Sequence, residues 1–240
     1  MKSTASGTLT VDDLHVHFKE ICAVRDVTFE ISTGETVAIV GRNGAGKSTF
    51  LKSLAGLIPD AAGVVLWNGS PLTKLMRRKL VAYLPQREEI DWSFPVTVRG
   101  LVDMGLYPLV GPWGRFTQAH RNATEEAMAK MGLEGLEDRR IGELSGGQQQ
   151  RAFLARAIVG GARIVLLDEP FAGLDTKACR RLSQLIRSLA ESGSLVLASH
   201  HDLKSIPETF QHTLLLRTRQ LAFGSSEEVL TPENIKTAFE

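Results

Sequence analysis

The chain has 240 residues, 43% apolar and 23% charged, enough apolar material for a sizeable core and too much for a disordered chain. Its 28 basic and 27 acidic residues leave a formal charge of +1 without a polybasic tract, so no nucleic-acid partner is expected. Cys22 and Cys179 have no ligand-like spacing around them, MKSTASGTLTVDDL lacks an apolar leader core, and no apolar run approaches the length of a membrane span; a cytosolic chain is expected.

The first third reads as short strands. HVHF (15–18) and VTFEI (27–31) alternate as half-buried strands do, whereas TVAIV (36–40) is continuously apolar and reads as a buried strand. VVLW (64–67), followed by an Asn68-Gly69 turn, and VAYL (81–84) are further strands. Residues 93–116 hold four glycines and three prolines and show little periodicity. Helices are expected over 118–131 and around 148–160. The last third returns to alternation: a buried strand in IVLLDEP (164–170), a helix over 177–191, the strand LVLAS (195–199), a hairpin across 212–224, and a short polar helix. Leu182, Leu185, Ile186 and Leu189 share one helical face, which is expected to be buried. A small antiparallel sheet beside a parallel one is the architecture this order predicts.

Two stretches carry chemistry. GRNGAGKST (41–49) follows a buried strand and precedes a helix-compatible run, the context of a phosphate cradle. Gly41, Gly44 and Gly46 let backbone N–H groups converge on phosphate, with Asn43 and Ala45 between them. Lys47 is expected at the β/γ-phosphates, Ser48 on Mg²⁺ and Thr49 at an adjacent phosphate. Alone, Asp168-Glu169 after a strand is as well explained by a turn or helix cap. Beside a phosphate cradle, Asp168 reads as a carboxylate near Mg²⁺ and Glu169 as the group that polarises the attacking water. The second stretch is LSGGQQQ (144–150), a glycine-rich helix start with no feeding strand before it.

GRNGAGKST, Gln86, LSGGQ, IVLLDEP, AGLD and HHD, in that order and spanning essentially the whole chain, resemble the ATP-binding cassette (ABC) ATPases, the nucleotide-binding subunits of ABC transporters. The resemblance implies an α/β fold of P-loop NTPase ABC type, with a mostly parallel core sheet, an antiparallel β subdomain and a helical signature subdomain. It implies one domain over 1–240, with the helical subdomain at approximately 88–160. It also implies two cassettes facing head to tail, each ATP held between the cradle of one and the Ser145, Gly146, Gly147 and Gln148 of the other. Gln86 then contacts Mg²⁺ and water, His201 is the switch histidine at the γ-phosphate, and Asp175 lies across the seam. His200 takes the switch role if the register slips by one. Phe18 either stacks on adenine or is a core residue of a half-buried strand, and Glu143 either passes motion between halves or is an acidic cap.

The segment 84–107 with its IDWSFPVTV core, then WGRF and IGELSGGQQQR, resembles the manganese/zinc/iron importer ATPases. That implies a membrane permease, an extracytoplasmic metal-binding protein acting through it, a position on the cytoplasmic side of the cell membrane, and 84–107 facing the permease. Uptake of another substrate such as a metal chelate is the alternative. His15, His17, His200 and His201 form no closed ligand set with the cysteines, so the transported ion is not expected to touch this chain. Translation-type cassettes carry two engines per chain, and repair types insert coiled coils between cradle and signature. Here Lys47 and Ser145 are 98 positions apart with no such insert. A cofactor-assembly ATPase would lack stable membrane partners, and a non-catalytic cassette would lack the intact set Lys47, Ser48, Asp168, Glu169 and His201.

Overall fold

The computed structural model describes residues 7–59, 61–111 and 114–240; the extreme N-terminus and Trp113 of WGRF lie outside the described residues. Strands β1 (Thr8–Phe18), β2 (Ile21–Ser32) and β3 (Thr36–Val40) come first, and helix α1 (Lys47–Leu54) leads to β4 (Ala61–Trp67) and β5 (Ser70–Pro71). Asn68 and Gly69 turn between these last two with φ of 52° and 74°, the left-handed pair that a tight hairpin demands. Helix α2 (Lys74–Leu80) precedes β6 (Val81–Leu84). The glycine- and proline-containing middle folds into short helices, α3 (Val98–Asp103) and α4 (Tyr107–Val110), before α5 (Gln118–Lys130) and α6 (Gly146–Val159). Strand β7 (Ile164–Leu167), α7 (Thr176–Glu191), β8 (Leu195–Ser199), β9 (His212–Arg217) and β10 (Arg219–Ser225) complete the sheet, and helix Pro232–Phe239 ends the chain.

Among the described residues the strands form one sheet in the order β5-β4-β1-β2-β10-β9-β3-β8-β7-β6. Pairings β1–β2, β1–β4 and β4–β5 are antiparallel, while β9–β3–β8–β7–β6 are parallel. The two halves meet where β10 bridges to β2 at Arg219 and Arg25. Every residue of β3, β7 and β8 is buried, the pattern of parallel strands covered on both faces. One apolar cluster packs α3, α5, α6 and α7 against the parallel half, and a second packs α1 between the two halves.

Helix α6 starts two residues earlier than its apolar spacing indicates. Ser145 and Gln148 form a capping box, so the helical turn closes at Gly146. In α7, Leu182, Ile186 and Leu189 are buried and Leu185 is half-buried. Replacing Ile186 by Ala is expected to cost about 3 kcal/mol, and Leu185 by Ala about 1 kcal/mol. Denaturant unfolding of the ligand-free chain checks both; equal losses would contradict the packing described.

Candidate nucleotide site

β3 delivers the chain into the cradle loop and α1 carries it away. Gly44 and Gly46 hold φ of 79° and 96°, and a Cβ on Gly46 would sit 2.4 Å from the Ala23 carbonyl oxygen. Gly46 is the N-cap of α1 and makes no side-chain cap, leaving the first N–H groups of the helix for a ligand. The Lys47 ammonium, 6% exposed, donates to the carbonyls of Gly41 (2.8 Å) and Arg42 (3.1 Å). Burial lowers its pKa and the nearby carboxylates of Glu169 and Asp168 oppose that shift. Asn43, Gly44, Gly46, Lys47, Ser48, Thr49, Gln86, Glu169 and His201 line one cavity of about 910 Å³. Gly41 and Ala45 do not line it. Gly41 packs on the Leu216 carbonyl and Ala45 is buried, so both shape the loop from behind.

Asp168 is 1% exposed. Its carboxylate accepts from Ser199 Oγ (2.7 Å), and from Tyr83 Oη (3.4 Å) and Gln86 Nε2 (3.5 Å) at the outer limit of bonding. The same Gln86 amide donates to Ser48 Oγ (3.1 Å), so Ser48, Gln86 and Asp168 are brought together. Burial and the Asp168 charge push the Tyr83 phenol far above its ordinary pKa. Ser199 also accepts from the Glu169 N–H (2.6 Å), pinning a residue whose φ is +47°. A non-glycine residue there costs on the order of 1–2 kcal/mol, and that bond holds it.

His200 and His201 face different surroundings. His201 is exposed and lines the cradle cavity. His200 is 4% exposed, with its ring 4.7 Å from Phe171 and 5.8 Å from Phe210. Ser205 Oγ donates to the Asp202 carbonyl (3.1 Å), so His200 donates from Nε2 to Ser205 Oγ (2.7 Å). His200 Nδ1 has no partner among the described residues. Register therefore puts His201, not His200, at the cavity.

The second glycine-rich stretch forms a separate cleft of about 300 Å³, lined by Ser145, Gly146, Gly147 and Gln148 together with Asp175 and Arg181. Ser145 Oγ accepts from Gln148 N (3.4 Å) while Gln148 Oε1 accepts from Ser145 N (2.9 Å). Asp175 N-caps α7 through Ala178 N (2.8 Å). This cleft shares no lining residue with the cradle cavity. Glu143 is exposed in the turn before it. Phe18 is 49% exposed at the tip of β1, not a core position; Ile21, Cys22 and Ala23 of the neighbouring strand line the cradle cavity instead.

Motif reading missed Ser199, Tyr83 and Arg87. Ser199 and Tyr83 reach Asp168 from the ends of other strands, and Arg87 reaches Gln149 of α6 from the turn after β6, contacts between segments distant in sequence. Half-buried His15 on β1 bonds Asp13 at 2.8 Å and lies 3.9 Å from Asp26 of β2, both carboxylates being exposed.

A cradle at the ends of parallel strands, joined to an antiparallel sheet and to a helical arm bearing a capped glycine turn, is the layout of an ATP-binding cassette. The chain belongs to the ABC transporter family, whose model matches residues 24–172, and it is an ATPase that binds ATP. It is 39% identical to the manganese transport system ATP-binding protein MntB of Listeria innocua over 96% of this chain and 95% of that protein. It is 41% identical to the zinc transport system ATP-binding protein TroB of Treponema pallidum over 99% of this chain and 88% of that protein. Among solved structures, a chain from an inward-facing transporter described as metal-chelate type superposes with a TM-score of 0.85 at 25% identity, covering 97% of this chain and 88% of that one.

Burial, helped by the charge of His201 and opposed by Asp202, pushes the His200 pKa down to about 4. The unfolded imidazole titrates near 6.5, so between pH 6.5 and 4 the unfolded chain takes up a proton that the folded chain refuses. Stability present above pH 6.5 is lost as pH falls through that window, by about 2 kcal/mol at pH 5. His200→Gln removes this component. Unfolding free energies of both proteins from pH 7.5 to 5 check it, and parallel curves would contradict the assignment.

Proposed function

We propose that this chain is the ATP-hydrolysing subunit of an importer for a divalent transition metal (manganese, zinc or iron), working as a pair of cassettes beneath a membrane permease. The observation that carries the pairing is the separation of the cradle cavity from the signature cleft. One chain does not close around ATP, and a second copy set head to tail supplies the missing wall at each of two sites. The metal class rests on near-full-length similarity to manganese and zinc transport proteins. Import implies an extracytoplasmic metal-binding protein that delivers to the permease.

In this reading ATP phosphates sit on the N–H groups of the cradle loop, and Lys47 leaves its loop carbonyls to meet them. Phe18 stacks on adenine, which its exposure permits. Gln86 Nε2 reaches both Ser48 Oγ and the Asp168 carboxylate, so three side chains able to offer oxygen are gathered at one place, which fits a hard cation. Gln86 now presents its amide nitrogen, so its amide turns over to offer Oε1. Mg²⁺ held there with ATP would offset charge on the phosphate oxygens. Glu169 polarises the water for in-line attack, and His201 contacts the γ-phosphate. Across the seam, Ser145 donates its hydroxyl proton to the γ-phosphate while still accepting from Gln148 N. Asp175 keeps one carboxylate oxygen for the partner's loop. Loss of the terminal phosphate removes charge from the seam and loosens the pair.

The helical segment within 88–160 acts as the moving arm. Beside it, Arg78, Lys79, Pro108 and Leu109 line a groove of about 200 Å³, with Leu75 and Tyr107 exposed; this face receives the permease on the cytoplasmic side of the membrane. No helix among the described residues is long and apolar enough to cross a membrane. The metal-chelate description of the structural neighbour favours a second reading, uptake of a chelated metal.

Glu169→Gln is expected to keep ATP affinity, lower turnover at least ~100-fold and trap an ATP-bound dimer. Wild-type turnover would remove its assigned role. Ser145→Tyr is expected to abolish hydrolysis while the isolated chain still binds ATP; normal hydrolysis would sink the shared site. In cells carrying only the Glu169→Gln chain, elemental analysis is expected to show loss of manganese, zinc or iron. Unchanged content of all three contradicts the metal assignment and leaves the ATPase standing.

A further inference from the structure

In the segment that follows Gln86, Arg87 and Trp92 turn toward α6. Arg87–Glu89 form a short turn at the end of β6. Arg87 Nη2 donates to Gln149 Oε1 (2.9 Å) in the first turn of α6. Gln149 is 5% exposed and spends its other amide group on the Ile141 carbonyl (3.1 Å). The guanidinium lies 5.4 Å from the centre of the Trp92 ring, and Trp92 Nε1 donates back to the Arg87 carbonyl (3.0 Å). Trp92 in turn meets Phe153 of α6 edge-on at 5.5 Å. A Cβ on Gly146 would come within 2.8 Å of Arg87 Nη1, so the guanidinium sits directly beneath the signature turn. The REEIDW stretch is thereby a clasp between the glutamine turn and the signature helix.

We propose that Arg87 is a positioning residue that makes Gln86 and the Ser145–Gly147 turn of the same chain move as one body. The inference rests on the paired-cassette reading, in which these two groups serve different ATP molecules. Gln86 reports on the ATP in its own cradle, and the signature turn closes on the ATP of the other chain. A rigid link between them carries occupancy of one site to the other. The link is specific. Gln149 is buried, so removing Arg87 strands its side-chain carbonyl oxygen, and a lysine point charge does not reproduce a planar group that bonds Gln149 while lying over Trp92.

The test uses the full chain in the Glu169→Gln background, with sedimentation reading the ATP concentration that drives dimer formation. Arg87→Met and Gln149→Leu are each expected to raise that concentration about tenfold, and the double variant no more than either alone. Equal dimerisation with and without Arg87, or additive losses, overturns the proposal. Failure of the Glu169→Gln parent itself to dimerise removes the paired reading instead, and this inference with it. If a variant does not fold, hydrogen exchange on the Glu169→Gln chain decides. Amides of 86–90 and 145–149 gaining protection over one ATP range supports the link, and separate ranges overturn it.

Discussion

A buried carboxylate governs this structure. Asp168 ends β7 almost wholly out of water, and an ionised carboxylate so placed costs several kcal/mol unless donors and positive charge surround it. Those partners come from other strand ends: Ser199 from β8, Tyr83 and Gln86 from and after β6, and Lys47 from the helix that follows β3. The parallel order β3-β8-β7-β6 is what lets them converge. In such sheets, loops at the carboxyl ends of the strands form the binding crevice. The carboxylate on which these loops converge belongs to the donor set proposed for the cation of ATP.

Much of this was legible from residue order. Continuous apolar runs marked the parallel strands because both their faces are covered, and alternating runs marked the antiparallel ones. The cradle is a local pattern, fixed by spacing alone; the Ser145–Gln148 capping box is equally local but went unread, because the apolar spacing of α6 begins only after it. What spacing did not reveal depends on contacts across the sheet. Ser199 is an ordinary serine at the end of an apolar strand until strand order sets it between Asp168 and Glu169. The short helices of 98–110 bury Val98, Leu101, Val102 and Leu106, but their glycines and prolines break the periodicity that would announce them. The contrast between His200 and His201 is a matter of which side of the strand end each ring leaves. The sequence resemblance named His201, which lines the cradle cavity, while Phe171 and Phe210 enclose its neighbour.

The cradle cavity and the signature cleft of one chain share no lining residue, yet side-chain contacts run between their elements. On the core side, Lys52 of α1 pairs with Glu89 at 2.7 Å, partly exposed and of modest strength. On the arm side, Arg87 bonds the buried Gln149. The three-residue turn between them therefore touches both the helix that starts at the phosphate lysine and the helix that starts at the signature serine. Such a turn converts a small displacement at one helix start into a displacement at the other, because packed interfaces shift between discrete arrangements.

The claim on which the account stands is that each ATP is enclosed by two chains. With Cys22 and Cys179 replaced by serine, one population carries Asn43→Cys and another Ser145→Cys. The two are mixed with ATP and treated with a short thiol-specific cross-linker. The account predicts a covalent dimer of one chain of each kind, formed only with ATP. A cross-link forming within a single chain that carries both cysteines, with no covalent dimer from the mixture, would contradict it.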